Sequence, residues 1–110
     1  MNLTVSQQGS IAKITLTGRF DAHEVPAVKA WFADSAESSH LLVNLQGVHF
    51  IDSTALSTLV QGMKRCREKG GDLVLCNLQQ PVRVIFELTR LDRAFSIYST
   101  EADAVNALQN

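Results

Sequence analysis

The side chains best able to do chemistry in this chain stand together in one short run, Asp52-Ser53-Thr54, ahead of an apolar-periodic segment that begins at Ala55-Leu56. Each of the three carries an oxygen able to accept a hydrogen bond from a free backbone N–H, the property that favours these residue types at helix N-caps. On its own, then, the run reads first as a cap. The same geometry permits a second chemistry. A hydroxyl at a helix N-terminus faces the positive end of the helix dipole and a set of unpaired N–H groups, a good place for a phosphate. A phosphate on Ser53 would add a charge of about −1.5 to −2 at neutral pH beside Asp52. Such a residue is a switch rather than a catalyst.

Other chemistries find less support. Ser53 lacks the flanking glycines of a nucleophile elbow, and nothing in the spacing of His23, His40 and His49 sets a base beside it. The same scattered histidines, without an HxxxH or a Cys/His pair, argue against a metal site, and no cofactor is expected. Gly70-Gly71 is followed by Asp72, so no phosphate-binding P-loop is formed. A receiver domain would need an acidic pair after its first strand and a late lysine, whereas no lysine follows Lys69. Cys66 and Cys76 lie in apolar-periodic segments with nine residues between them, which fits two buried thiols better than a metal or redox pair.

The elements that must position Ser53 follow from periodicity. Leu3, Val5 and Gln7 alternate with polar neighbours, Gly9-Ser10 makes a turn, and Ile11 to Thr17 alternate again, so an antiparallel hairpin is expected, broken at Gly18. Val25, Val28, Trp31 and Phe32 recur at helical spacing behind Pro26, whose missing N–H costs nothing in a first turn. Trp31 is expected in the core. Leu41 to Leu45 is a nearly unbroken apolar run, as in a strand covered on both faces. The residues from Gln46 to Leu56 are then expected to form the turn into the next helix.

That helix presents Leu56, Leu59, Val60 and Met63 on one stripe, ends among basic residues that complement its dipole, and stops at Gly70-Gly71. Leu73 to Cys76 form a second buried strand. A helix opened by Pro81 carries Val82, Ile85, Phe86 and Thr89, a short strand is expected over Phe95 to Tyr98, and a last helix follows from about Thr100. The order ββαβαβαβα implies an α/β fold, with a mixed, mostly parallel sheet in one domain over residues 1–110. In such sheets ligand and regulatory sites form beyond the carboxyl ends of the parallel strands, which is where Ser53 falls.

Composition narrows the class further. Ten Lys and Arg against eleven Asp and Glu leave a formal charge of −1, and 45% of the residues are hydrophobic. Disorder would need fewer apolar residues, and nucleic-acid binding would usually bring a basic surplus. The start Met1-Asn2-Leu3-Thr4 is not that of a secretory signal, and no apolar stretch approaches the roughly 20 residues of a membrane span. A soluble, cytoplasmic protein without direct membrane insertion is expected.

Several segments resemble one family when taken together. They are Gly18-Arg19-Phe20-Asp21, Leu42-Val43-Asn44-Leu45, Phe50-Ile51-Asp52-Ser53-Thr54-Ala55-Leu56, Lys69-Gly70-Gly71 and Phe86-Glu87-Leu88-Thr89-Arg90-Leu91. In this order the chain looks like the STAS domain of bacterial anti-sigma factor antagonists, over essentially its whole length. The resemblance implies a non-enzymatic partner-switching protein. Ser53 would be phosphorylated by an anti-sigma factor that is also a serine kinase, and a metal-dependent serine phosphatase would remove the phosphate. The unphosphorylated form would bind the kinase, through a surface that includes Asp21, Asp52, Ser53, Thr54, Ala55 and Leu56. Ala55, Ser57 and Arg90 stand where the family often has glycine. A second reading keeps the fold without the switch: a STAS scaffold, such as an accessory subunit of a lipid-trafficking ABC transporter or part of a sensory assembly. The hydroxyl directly after Asp52 favours the switch. The sequence leaves a homodimer open.

Overall fold

A computed structural model describes residues 1–109. Strand β1 (Asn2–Gln8) turns at Gly9-Ser10 and pairs antiparallel with β2 (Ile11–Phe20), from Asn2 opposite Thr17 to Gln8 opposite Ile11. Helix α1 (Val25–Asp34) leads to β3 (His40–Ile51), α2 (Ser53–Glu68) to β4 (Asp72–Cys76), and α3 (Gln80–Leu88) to β5 (Ile97–Tyr98). A single 3₁₀ turn (Leu91–Arg93) precedes β5, and α4 (Glu101–Gln109) follows it. The sheet order is β1-β2-β3-β4-β5, with β2 to β5 parallel, as the βαβ rhythm of the sequence requires.

The helices divide unequally between the two faces. Alternate residues of the strands, among them Ile14, Leu16, Val43, Leu45, Leu73 and Leu75, pack against α1, α2 and α3 in the main core. The opposite residues Ile11, Leu42, Val74 and Cys76 meet only Ala104 and Val105 of α4, with Tyr98 and Leu108 beside them. Leu42 and Val43 therefore both have apolar cover, which explains the unbroken apolar run of β3. Trp31 lies in the main core, its ring 5.5 Å from that of Phe32. Gly62 lets α1 approach α2, since a Cβ there would come within 2.6 Å of the Phe32 ring.

Four expectations are corrected. Gly18 does not end β2, which continues to Phe20, and Gln46 to Ile51 are not a turn but a continuation of β3. The two strands stay paired through Thr17/Gly47, Gly18/Val48, Arg19/Phe50 and Phe20/Ile51, with bulges between Thr15 and Thr17 and between Gly18 and Arg19. Gly47 makes this pairing possible, because a Cβ there would collide with the Thr17 side chain. The expected strand from Phe95 shrinks to Ile97–Tyr98, because Phe95 instead turns into the core, edge-on to Phe86 at 5.7 Å. Thr89 does not continue the α3 stripe. It is that helix's C-cap, and its hydroxyl donates back to the Ile85 carbonyl at 2.7 Å.

Candidate functional site

The extension of β2 and β3 carries two loops out side by side, and Asp52 joins them. Its backbone is extended (φ −103°, ψ 176°), as an N-cap requires, and its Oδ1 accepts a 2.8 Å hydrogen bond from the Ala55 N–H. Oδ2 accepts at 2.9 Å from the N–H of Ala22 in the loop between β2 and α1. The Asp52 N–H donates in turn to the Phe20 carbonyl at 3.2 Å. One residue thus caps α2 and locks its corner to the neighbouring loop. The bond from Ala55 holds the Asp52 carboxyl below its ordinary 3.8, against the opposing effect of desolvation, and the Ala22 N–H and the charge of Arg19 add to the lowering.

Asp21 sits in the loop so fixed. Its Oδ1 accepts from the His23 N–H at 3.0 Å, and its Oδ2 lies 3.7 Å from Nε of Arg19. Arg19 in turn spreads its guanidinium over the Phe50 ring, 3.9 Å from the centroid. Ser53 and Thr54, the first two residues of α2, are exposed. Ala55 is fully buried and Leu56 nearly so, at 7% exposure. What Ala55 offers the corner is its backbone N–H. The structure therefore brings Asp21, Asp52, Ser53 and Thr54 to one surface, with Ala55 and Leu56 as its floor.

A family model of the STAS domain matches residues 2–104. The chain belongs to the STAS domain family. Over 99% of its length it is 24% identical to the anti-sigma F factor antagonist of Paenibacillus polymyxa, of which the match covers 97%. It is 30% identical over 82% of its length to the anti-sigma-B factor antagonist of Listeria monocytogenes, 81% of which is covered. Among solved structures, the anti-sigma factor antagonist SpoIIAA in its unphosphorylated form superposes with a TM-score of 0.86 at 20% identity, covering 98% of this chain and 96% of that one. At that identity the likeness speaks for the fold.

On this STAS domain a groove of about 430 Å³ continues from Ser53 along α2, lined by Leu56, Ser57, Val60, Gln61 and Lys64 and closed by Leu91. Neither this groove nor the Arg19–Phe50 stack was legible in the sequence. The stack needs β2 and β3 to run on past Gly18 and Gln46, and the only signal for that was the pattern of Val48 and Ile51 flanking His49 and Phe50. Both flanking residues are buried and both central ones exposed. Among the described residues there is no cluster of His, Cys, Asp and Glu that could hold a metal, and no helix long and apolar enough to cross a membrane.

Proposed function

We propose that this STAS domain is an anti-sigma factor antagonist, a cytoplasmic regulator that binds rather than catalyses, and that Ser53 is the residue through which phosphorylation switches it. The observation that carries this reading is an exposed hydroxyl at the first position of α2, beside a capping carboxylate whose two oxygens already have partners. A phosphate there meets the positive end of a 16-residue helix without displacing Asp52 from its bonds. The fold tolerates the new charge while the surface of Asp21, Asp52, Ser53 and Thr54 becomes strongly anionic. The names of the curated relatives support the same role.

In the forward step Ser53 Oγ forms a bond to the γ-phosphorus of ATP as the bond from that phosphorus to the β,γ-bridging oxygen breaks. ADP leaves, and the hydroxyl proton passes to a base. That base belongs to the kinase, since Ser53 Oγ has no hydrogen-bonded side chain among the described residues. The unphosphorylated domain binds the serine-kinase anti-sigma factor, phosphorylation releases it, and a metal-dependent serine phosphatase restores the hydroxyl. The test is incubation with such a kinase and ATP, followed by peptide mapping of the phosphate. Label is expected on Ser53, retained in Thr54→Ala and absent from Ser53→Ala. Ser53→Asp should weaken the kinase complex by about tenfold or more, because a charged carboxylate must be desolvated where a neutral hydroxyl was, while an acid at the helix start leaves the melting temperature within a few degrees. Full labelling of Ser53→Ala overturns the assignment.

A further inference from the structure

The two edges of the sheet differ. One edge, β5, is two residues long, a length that itself protects against pairing, whereas the other, β1, runs for seven residues, all exposed. β1 has none of the usual edge defences. Asn2-Leu3-Thr4-Val5-Ser6-Gln7-Gln8 contains no charge and no proline, and its pairing with β2 runs without a bulge. Leu3 and Val5, at 38% and 53% exposure, line a groove of about 600 Å³ between this strand and α1, facing Ala27, Ala30 and Trp31.

The hairpin fixes which backbone groups are free. Its two-residue loop, Gly9-Ser10, is closed by Gln8 opposite Ile11, and the pair that closes such a loop is hydrogen-bonded. Hydrogen-bonded pairs recur at every second residue, so Asn2, Thr4, Ser6 and Gln8 direct their N–H and C=O groups toward β2. Leu3, Val5 and Gln7 therefore direct theirs outward. We propose that this free ladder is filled by a second copy of the chain, β1 against β1 in antiparallel pairing about a two-fold axis through Val5.

In that register Val5 faces Val5 of the other copy and each Leu3 faces a Gln7. All outward groups are used, and all seven residues pair. The axis stands perpendicular to the sheet, so both α1 helices lie on the same side and the two grooves merge over a floor of Leu3 and Val5 from each copy. The opposite face matches Thr4 to Ser6 and Asn2 to Gln8, polar to polar. A stable pair needs roughly 800 Å² from each partner. Here that area is to be drawn from the seven exposed residues of β1, the groove that Leu3 and Val5 line, and the flank of α1. A formal charge of −1 per chain adds little repulsion.

The experiment is sedimentation equilibrium from micromolar to millimolar concentration. Wild type is expected to dimerise within this range, and Val5→Lys and Val5→Glu are each expected to remain monomeric with unchanged far-UV circular dichroism, since the side chain is half exposed. An equimolar mixture of Val5→Lys and Val5→Glu should recover the dimer, because the axis sets the two side chains opposite one another. Register is read by oxidative cross-linking. Val5→Cys should link across the axis, where paired Cα atoms lie about 5.5 Å apart, and Leu3→Cys should not. A wild-type monomer up to millimolar concentration, or a dimer unaffected by both charged variants, overturns the proposal.

Discussion

At the scale of single residues, Asp52 sets up the site and Ser53 presents it. The carboxylate does what an N-cap does, yet its second oxygen reaches the Ala22 N–H, so the cap is also a clasp between two loops. Asp52 titrates below its ordinary 3.8 in the folded protein, so the folded state binds the proton less readily than the unfolded chain does. Its contribution to stability is therefore complete above that ordinary value and is lost as the pH falls through the lower folded value. Glu101 behaves in the same sense, held down first by the Asn44 side-chain amide at 3.2 Å and then by Lys13. Asp52→Asn keeps a capping oxygen but cannot ionise. Thermal unfolding should show Asp52→Asn less stable than wild type at neutral pH, the gap closing as the pH falls below the ordinary 3.8. A gap of constant size through that fall would show that the charge of Asp52 has no part in the clasp.

At the scale of elements, helix α3 ends with a conformational cost. Thr89 is its C-cap, and Arg90, the next residue, is left-handed at φ 63° and ψ 13°, the position where glycine is favoured. A left-handed backbone costs a side-chain-bearing residue about 1–2 kcal/mol, and glycine gives back about 0.5–1 kcal/mol through its freer unfolded chain. Arg90→Gly should thus stabilise the domain by about 0.5–1 kcal/mol, read as a rise of a few degrees in melting temperature. A fall would mean that the Arg90 side chain supplies a compensating contact. The unusual arginine was visible in the sequence through the family pattern, but the dihedral angle was not. The same limit runs through the other elements. Buried strands and helix stripes were readable from the spacing of Leu, Val and Ile, as at Leu41 to Leu45, because one or two faces there must be apolar. The reach of β2 and β3 was not, because Gly18 and Gly47 look like breaks in sequence while Gly47 in space is a close crossing over Thr17. The position of Ser53 survived this error, since Asp52-Ser53-Thr54 stand directly ahead of the apolar stripe of α2 wherever β3 ends.

At the scale of the whole molecule, the sheet has a thick side and a thin one, and each holds a cysteine. Cys66, on the buried face of α2, lies in the main core, and Cys76, at the end of β4, lies in the smaller cluster beneath α4. Burial raises both thiols above their ordinary 9.0, Cys76 to about 12, so neither is a reactive thiolate in the folded protein. Labelling must therefore wait for the structure to open. α4 covers its face with only two buried residues, Ala104 and Val105, and the Lys13–Glu101 ion pair at its first turn is partly exposed and contributes little. Releasing α4 uncovers Cys76 at a cost well below that of global unfolding, whereas uncovering Cys66 requires the packing of α1 and α2 on the sheet to come apart. With a thiol reagent at mildly alkaline pH and increasing urea, Cys76 should react at concentrations where tryptophan fluorescence still reports a native core around Trp31. Cys66 should react only across the main transition. Simultaneous labelling of both thiols, or labelling of Cys66 first, would show that the thin side is not a separate cooperative unit.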